Sequence, residues 1–341
     1  MKKITIHEIA KILKIDSSTV SRALNNSSRV NEKTKMLVLA KANELGYKPN
    51  LIAANLRRSR SNTIGVVVPR ITRHFFSSTI SGIEETAYNS GFNVVISQSL
   101  EKLSREQKIV NNLFSNRVDG ILISVSMETI DSSHLKILED SGLPLVFFDR
   151  HMADMKDSNR VLIDDVAGAF EGVSHLIENN CRKIAHFSGP QTLEIYKNRL
   201  AGYRNALDKH RIVFDPDLVV MSNLLQEDGY RITQDLLKKH PDIDAIFSAN
   251  DQAAIGAINY LKSIGKRIPD EIAIVGFSNE PISELIEPSL TSIDQFGVEI
   301  GRISCNLLMD KIKKKDSETA HRAIYLKPSL MIRSSSDKKL I

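Results

Sequence analysis

The chain has 341 residues, of which 42% are hydrophobic and 26% charged, and its formal net charge is +5. This length and composition are typical of a soluble protein with two or three domains. The longest apolar runs are too short to cross a bilayer and the N-terminus has no apolar signal-peptide core, so we expect a cytoplasmic protein without membrane contact.

The positive charge is concentrated at the N-terminal end. Residues 1–60 contain 13 Lys and Arg against 4 Asp and Glu, a net charge of +9, whereas residues 61–341 carry −4. Such an asymmetry indicates a module that binds a polyanion, attached to a body with another role. A solvated basic tail is the alternative, and the residue pattern inside the segment has to distinguish the two.

Three short helices are predicted within the first fifty residues. A capping box opens the first at Thr5, and Asp16 or Ser17 can cap the second. The third extends from the cap residue Asn31 to Gly46, a residue type that commonly ends helices. Because only about two residues separate the first helix from the second, the pattern indicates a helix-turn-helix unit.

The second helix lies in the segment "DSSTVSRALNN" and carries short hydroxyl side chains on its polar face. Ser and Thr are mediocre helix formers, so an ordinary surface helix would more often carry Glu and Lys there. In a DNA major groove, hydroxyls can donate to or accept from base edges, and arginine can bind O6 and N7 of guanine. The segment is therefore predicted to be a recognition helix.

Three segments link the chain to a known family, and they read "TIHEIAKILKIDSSTVSRALNNSSRVNEKTK", "LGYKPNLIAANLRR" and "NTIGVVVP". In all three the chain resembles the LacI/GalR family of bacterial transcription repressors. The resemblance implies base contacts by Ser17, Ser18 and Arg22. It also implies phosphate contacts, which fix the register on the duplex, by Thr5, Thr19, Ser21, Asn25, Thr34 and Asn50. Lys14 departs from the family, which usually has Gly in this turn, at a cost of about 1 kcal/mol.

Residues 48–62 are predicted to form a linker with a helix of about two turns, too short to persist alone in water. The resemblance implies that two such hinge helices, one from each subunit of a homodimer, pair in the DNA minor groove. Leu56 would then insert between the central base pairs and kink the duplex by partial unstacking. A flexible basic linker is the alternative.

From Asn62 on, apolar runs typical of buried parallel strands alternate with amphipathic segments. The runs are "TIGVVV", "FNVVIS", "DGILIS", "LPLVFF", "RVLID", "KIAHFS", "DLVVM", "DAIFS" and "EIAIVGF". They predict an α/β fold of two doubly wound parallel sheets, with the break near residues 161–165.

The resemblance implies that this body is a two-lobed periplasmic-binding-protein-like domain. The expected divisions are a helix-turn-helix domain at 1–47, a hinge at 48–62, and an effector-binding and dimerisation domain at 63–341, with lobe 1 at about 63–163 plus 293–322 and lobe 2 at about 164–292 plus 323–341. The late strand "LTSIDQF" and the helix after it would return to the first lobe.

No local signature of common enzyme chemistry is present in the body: GxGxxG, GxxxxGK[ST], GxSxG and HExxH are all missing. Cys181 and Cys305 lie far apart and lack metal-ligand spacing, so neither a disulfide nor a zinc site is indicated. We therefore expect no catalytic activity, no cofactor and no metal.

A small-molecule site is implied instead, beyond the carboxyl ends of the strands. The family match assigns it Phe75, Phe76, Asp149, Arg199, Asn250, Ser278 and Gln295. Aromatic faces cover the C–H patches of a sugar, and Asp, Asn and Arg bind several hydroxyls at once. The alternatives are core packing for the two phenylalanines, strand-end or helix-cap roles for Asp149 and Asn250, and a surface role for Arg199.

One departure bears on the ligand. Ser278 and Asn279 stand where most relatives have an aspartate, so the site loses a negative charge while Arg199 keeps its positive charge. An unpaired buried arginine is costly, which favours an acidic or phosphorylated sugar. The alternative is a neutral sugar, with Arg199 satisfied by Asp149 or Glu280.

These observations predict a sequence-specific DNA-binding regulator, a repressor of carbohydrate-utilisation genes or less often an activator, whose operator affinity changes with a sugar-like effector. The resemblance implies a homodimer, because family members without a C-terminal leucine heptad segment are usually dimers and "KPSLMIRSSSDKKLI" has no heptad repeat. The alternative is a transport-type sugar-binding protein, against which the basic N-terminal module and the missing signal peptide stand. A sugar-modifying enzyme is a third possibility, against which the missing motifs stand.

Overall fold

A computed structural model describes residues 4–47, 61–155, 157–313 and 320–337 of the chain. The chain divides into two compact units, Met1–Ser61 and Asn62–Ile341. The predicted hinge residues Asn50 and Leu56 lie outside the described residues, so the minor-groove role of that segment stays a prediction.

The N-terminal unit consists of three helices, α1 (Ile6–Leu13), α2 (Ser17–Leu24) and α3 (Glu32–Glu44). Ile9, Val20 and Val38, one residue from each helix, are fully buried at its centre. Each short helix therefore places its apolar stripe in one shared core, and the predicted three-helix unit is confirmed.

The predicted caps of α1 and α3 are present. The hydroxyl of Thr5 accepts the backbone N–H of Glu8 at 3.3 Å, and the Glu8 carboxylate accepts the backbone N–H of Thr5 at 2.8 Å. The side chain of Asn31 accepts the N–H of Thr34 at 2.8 Å. Gly46, at φ +62°, follows the end of α3 in the left-handed conformation that glycine adopts without strain.

Lys14 closes α1 with φ 53° and ψ 42°, in the left-handed region. The family's glycine position is thus occupied by a lysine in the conformation that favours glycine, as the sequence predicts. Asp16 precedes α2, but its side chain makes no capping hydrogen bond.

The second unit contains two six-stranded sheets, one in each lobe. The sheet of lobe 1 has the spatial order β11-β5-β4-β3-β1-β2, formed by β1 (Thr63–Val68), β2 (Asn93–Gln98), β3 (Gly120–Ile123), β4 (Leu145–Phe148), β5 (Asn159–Ile163) and β11 (Ala323–Leu326). The sheet of lobe 2 has the order β12-β10-β9-β8-β6-β7, formed by β6 (Ile184–Ser188), β7 (Val219–Met221), β8 (Ala245–Ser248), β9 (Ala273–Phe277), β10 (Thr291–Asp294) and β12 (Ser329–Met331). All pairs are parallel except β10 with β12.

Helices pack against both sheets. In lobe 1 they are α4 (His74–Asn89), α5 (Leu103–Ser115), α6 (Lys136–Asp140) and α12 (Gly297–Lys313); in lobe 2 they are α7 (Asp165–Glu178), α8 (Glu194–Lys209), α9 (Gln226–Lys239), α10 (Asp251–Ser263) and α11 (Ile282–Leu285). In β1, Val66 and Val68 belong to one apolar cluster and Val67 to another. Both faces of the sheet are therefore buried, which explains why the strands are continuous apolar runs and confirms the doubly wound α/β fold.

Helices of the same lobe approach each other closely where glycines replace side chains. A Cβ atom added to Gly82 on α4 would lie 2.1 Å from the carbonyl oxygen of Val298 on α12. A Cβ atom added to Gly256 on α10 would lie 2.0 Å from the carbonyl oxygen of Gln226 on α9. These backbone-to-backbone contacts set the positions of helices whose N-termini reach the cavity described below.

The chain passes between the lobes three times, and the first passage, between β5 and α7, lies in the predicted interval. Two other assignments were wrong. The strand "LTSIDQF", expected in lobe 1, is β10 and pairs with β9 in lobe 2. Residues 323–326, expected in lobe 2, form β11 beside β5 in lobe 1. Hydrophobic periodicity predicts a strand but not which of two similar sheets it joins.

Candidate functional site

The outward face of α2 has the properties of a recognition surface. Ser18 and Arg22 are one helical turn apart and both are exposed, whereas Ser17 and Ser21 are half-buried. Neither the Ser18 hydroxyl nor the Arg22 guanidinium forms a hydrogen bond with a residue in the described ranges. Both polar groups can therefore reach a partner outside the protein.

The predicted phosphate contacts lie mainly at helix starts. Thr5 precedes α1, Thr19 is in the first turn of α2 and Thr34 in the first turn of α3. Helix N-termini favour phosphate because their backbone N–H groups are unpaired and the helix dipole is positive there. Asn25 differs, since it follows α2 and its amide donates to the carbonyl of Ser21 at 2.7 Å.

A cavity of about 330 Å³ lies between the two lobes of the second unit. All seven residues predicted from the family match line it: Phe75, Phe76, Asp149, Arg199, Asn250, Ser278 and Gln295. Except for Arg199, on α8, they come from segments that directly follow β1, β4, β8, β9 and β10. The carboxyl ends of parallel strands meet at one edge of each sheet, which explains how distant segments converge here.

Phe75 and Phe76 serve both the core and the cavity. Their rings form an edge-to-face pair with centroids 5.3 Å apart, and both side chains belong to the main apolar cluster of lobe 1. The packing and lining roles are therefore combined: an aromatic wall is held rigid by the core behind it.

Arg199 has a carboxylate partner that the sequence hypothesis did not name. It is 3% exposed, and its Nε donates to a carboxylate oxygen of Asp165 at 2.8 Å. Its Nη1 donates to the carbonyl oxygen of Ala249 at 2.6 Å, and its guanidinium carbon lies 3.7 Å from the ring centroid of Phe277. The premise that Arg199 is unpaired was wrong, and the surface role is excluded as well.

Asp165 sits at the start of α7, directly after the chain enters lobe 2. Burial raises the pKa of Asp165 to about 6, and the charge of Arg199 opposes this rise. Neither Asp149 nor Glu280, the partners considered from the sequence, bonds to Arg199. With the arginine compensated internally, its charge gives no reason for an acidic ligand.

Arg150 is a cavity residue that the sequence reasoning missed. It is 6% exposed, and its Nη1 donates to both carboxylate oxygens of Glu101, at 2.9 and 3.2 Å, and to the carbonyl oxygen of Val125 at 3.3 Å. The only sequence signal was its position next to Asp149 after a buried strand. The pair Arg150 and Glu101 ties the segment after β4 to the segment after β2 in the cavity wall.

Asp149 occupies a strained and buried position. It has φ 60°, and one of its oxygens accepts the hydroxyl of Ser124 at 3.3 Å. Burial raises the pKa of Asp149, against the opposing charges of Arg150 and Arg199. Non-glycine residues with positive φ are uncommon and collect at functional sites, and four of them line this cavity: Leu100, Glu101, Asp149 and Ser278.

Asn250 combines cavity lining with the predicted cap role. Its Oδ1 accepts the N–H of Ala253 at the start of α10, at 2.9 Å, and its Nδ2 donates to the carbonyl oxygen of Leu224 at 2.9 Å. Its side chain is thus oriented by two protein contacts before any ligand arrives.

Ser278 lines the cavity, whereas Asn279 is held by protein groups. The Asn279 amide donates to Asp294 at 2.9 Å and accepts from Arg333 at 2.8 Å. Neither Ser278 nor Asn279 supplies the carboxylate that the family usually has after this strand.

Asp251, also missed from the sequence, holds the loop that carries Ser278. Its buried carboxylate accepts the hydroxyl of Ser292 at 2.6 Å, the hydroxyl of Ser283 at 3.0 Å and the backbone N–H of Glu280 at 2.7 Å. Burial raises the pKa of Asp251 to about 6, while these hydrogen bonds oppose the rise. It is a positioning residue behind the cavity wall.

The described ranges contain neither a metal-binding cluster nor a membrane-spanning helix. No group of three or more His, Cys, Asp and Glu residues there is placed to hold a metal ion. None of the helices in those ranges is long and apolar enough to cross a membrane.

Two family models match the chain. Residues 5–50 match the bacterial regulatory proteins of the lacI family, and residues 61–329 match the periplasmic binding proteins and sugar-binding domain of the LacI family. The second match alone covers more than half of the chain.

The chain is similar over nearly its full length to characterised regulators. It is 31% identical to the ribose operon repressor of Halalkalibacterium halodurans, over 97% of each chain, and 32% identical to the transcriptional repressor CytR of Escherichia coli K12, over 97% of this chain and 96% of CytR. A solved structure of the lac repressor dimer bound to operator and the anti-inducer ONPF superimposes with a TM-score of 0.86 at 27% identity, covering 98% of this chain and 99% of that one. A complex of the regulator CelR with cellobiose gives 0.75 at 29% identity, over 98% and 100%.

Proposed function

Because the chain belongs to the LacI family of bacterial regulatory proteins, we propose that it represses carbohydrate-utilisation genes by binding an operator sequence, with an affinity that a sugar-like effector changes. The observation that carries this proposal is the combination of two sites in one chain. One is an exposed hydroxyl and guanidinium face on α2, and the other is a cavity at the strand ends of two lobes.

The DNA-binding role assigns base contacts to Ser17, Ser18 and Arg22. It assigns phosphate contacts to Thr5, Thr19, Ser21, Asn25, Thr34 and Asn50. Exposed, unbonded polar groups on one face of α2 support the first assignment. The net charge of +9 on residues 1–60 supports the second. Because the bacterial chromosome lies in the cytoplasm, we propose that the protein is cytoplasmic.

The effector role assigns the cavity to a sugar or sugar derivative. Its lining combines the aromatic wall of Phe75 and Phe76 with buried polar groups such as Asp149, Arg199 and Gln295, the mixture that a polyhydroxyl ring requires. The solved complex of CelR with cellobiose supports this assignment by similarity. We propose that the chain acts by binding alone and not as an enzyme.

We also propose a homodimer. A two-fold dimer places two recognition helices on a palindromic operator, and the similar lac repressor structure is a dimer. The edge strand β2 exposes two apolar side chains, Val95 and Ile96, and exposed apolar edges are usually covered. Light scattering at micromolar concentration should give the mass of two chains; a monomer or a tetramer would contradict the proposal.

Selection from a random duplex library tests the DNA-binding role without knowledge of the operator. The full chain, incubated with the library at about 0.15 M salt, should enrich one sequence with two-fold symmetry, because specific sites bind roughly 10³- to 10⁷-fold more tightly than random DNA. Recovery of an unenriched library would reject the role. A transport-type binding protein, the alternative, would give that outcome.

A further inference from the structure

The cavity contains more positive groups than its internal ion pairs use. Five basic residues line it: Arg70, Arg73, Lys102, Arg150 and Arg199. Three of them have a carboxylate partner, which is Glu128 for Lys102, Glu101 for Arg150 and Asp165 for Arg199. The guanidinium groups of Arg70 and Arg73 make no hydrogen bond or ion pair with any part of the chain that the structure describes.

The nearby carboxylates on the same lobe are already engaged. Glu101 accepts from Arg150 and from the backbone N–H of Met127, at 2.8 Å. Glu128 accepts from Lys102 and from the backbone N–H of Leu103, at 3.1 Å. Neither carboxylate is within ion-pair distance of Arg70 or Arg73.

The two other carboxylates that line the cavity come from different positions in the fold. Asp149 follows β4, which is separated from β1 by β3, a distance of about 10 Å at the usual strand spacing. Glu280 follows β9 in the other lobe and accepts from the amide of Gln252. Arg70 and Arg73, between β1 and α4, therefore form a positive end of the cavity.

The start of α4 adds to this positive end. The helix begins at His74, directly after Arg73, with no acidic residue in its first turn and no capping side chain. The dipole of a 16-residue helix favours an anion at this terminus. The dipole of α4 and the side chains of Arg70 and Arg73 thus both favour an anion at this end of the cavity.

Unused hydrogen-bonding groups on largely buried cavity residues are a second, independent indication of a ligand site. Gln295 lines the cavity and is 3% exposed, and its side-chain amide forms no hydrogen bond with the described residues. The Nη2 atoms of Arg150 and Arg199 have no hydrogen-bond partner in the same ranges. Buried polar groups are nearly always paired, so these groups are placed to bind ligand oxygens.

We propose that the effector is an acidic sugar whose carboxylate or phosphate is bound by Arg70 and Arg73, while Arg150, Arg199 and Gln295 bind its hydroxyl oxygens. A guanidinium pairs with either anion through two parallel hydrogen bonds. This inference rests on the proposed function, because it takes the cavity as the effector site. It moves the anion contact from Arg199, where the sequence placed it, to residues with free charge.

Calorimetry on the full chain tests the proposal with matched sets: glucose, galactose and mannose, each with its uronate and its 6-phosphate. At least one acid should bind about 10- to 100-fold more tightly than its parent sugar, because hydrogen bonds between charged groups are the stronger ones. The double variant Arg70→Gln/Arg73→Gln should lose that preference and keep its affinity for the parent. The uronate and phosphate arms show which anion the site takes.

Two controls keep the result interpretable. Arg267→Gln removes an exposed arginine outside the cavity lining and should leave the preference unchanged. Inorganic phosphate, a probe independent of sugar stereochemistry, should raise the melting temperature of the wild type more than that of the double variant. Phosphate bound by the basic N-terminal unit is common to both proteins and cancels in this comparison.

The proposal is overturned if no acid binds more tightly than its parent, or if the double variant keeps the preference. Binding of none of the sugars, with equal phosphate effects on both proteins, would overturn it too. A neutral sugar that binds the wild type but not Gln295→Ala would preserve the cavity as the effector site while rejecting the anion. A failure of the proposed regulatory function shows instead in the duplex selection.

Discussion

Arg22 extends from the exposed face of α2, four residues after Ser18, with only short side chains beside it on the preceding turn. Short neighbours let the helix backbone come close to base edges, and one long forked side chain can then bind a guanine. We therefore expect Arg22 to contribute strongly to sequence discrimination, beside the base contacts proposed for Ser17 and Ser18.

Arg22→Ala should weaken binding to the selected duplex by about 1–3 kcal/mol and relax the preference at one base pair, with little effect on random DNA. Thr34→Ala is the matched comparison, since a phosphate contact carries no sequence information and its loss should weaken all duplexes alike. Fluorescence anisotropy with selected and shuffled duplexes measures both. Equal losses on the two duplexes for Arg22→Ala would reject its base-reading role.

The family resemblance predicted seven side chains that line the cavity, and strand ends that converge at one edge of a sheet explain why these segments meet there. The same reasoning could not pair them. Asp165 and Arg199 are 34 residues apart in sequence and meet only because α7 and α8 pack side by side. The charge balance of a buried site depends on such contacts, which is why the unpaired arginine expected from the sequence was wrong.

Strand β6 places a neutral histidine, His186, in the core of lobe 2. His186 is stacked between Tyr203 and Phe247, with ring centroids 5.1 Å away on each side, and its Nε2 is buried without a hydrogen-bond partner in the described ranges. Burial lowers the pKa of His186 to about 4. Between pH 6.5 and 4 the unfolded chain binds a proton that the folded chain does not, so folding becomes less favourable as the pH falls.

His186→Phe should remove this acid sensitivity. Between pH 7 and pH 4 the wild type should lose about 3 kcal/mol more free energy of unfolding than the variant does, from the difference between the two pKa values. Urea unfolding at both pH values measures the difference. The wild type has to be compared with the variant because Asp165 and Asp251, whose pKa values are raised, make folding more favourable as the pH falls over the same range. His321→Phe, at an exposed histidine, should retain the wild-type pH dependence, and an identical dependence in His186→Phe would contradict the account.

The packing of α10 against α9 depends on a close contact at Gly256. Gly256→Ala would place a Cβ atom 2.0 Å from the carbonyl oxygen of Gln226, so the helices must separate. Overpacking of this kind costs about 1–3 kcal/mol, which urea unfolding would detect. Asn259→Ala, at an exposed position on α10, should change stability by less than about 0.5 kcal/mol. A Gly256→Ala protein as stable as this control would contradict the close approach.

Because α9 and α10 begin beside cavity residues, the same separation should weaken ligand binding.

Most strands of the body were predictable from the sequence, since each of the nine apolar runs contains a strand, but β11 and β12 were not predicted. Sheet membership was not predictable, since β10 and β11 each join the sheet opposite to the expected one. The residue pattern of a strand does not show which of the two sheets it joins, so only the tertiary contacts distinguish them.

In the whole molecule, the positive charge is concentrated in the N-terminal unit proposed to bind DNA. The +9 charge of residues 1–60 should make operator binding fall linearly in a plot of log affinity against log salt, because bound cations are released from DNA. Anisotropy titrations between about 50 and 200 mM salt measure the slope. An affinity independent of salt would reject the basic unit as the DNA-binding surface.

The proposed function requires that occupancy of the cavity controls DNA binding. Its most direct test is the affinity of the full chain for the selected duplex, measured with and without a saturating concentration of the tightest ligand from the calorimetric sets. Saturation with the ligand should change this affinity by about 5- to 150-fold, the usual range for coupled sites, and the change should be lost in Gln295→Ala at the same ligand concentration. An affinity for the duplex that stays the same at full occupancy of the cavity would contradict it.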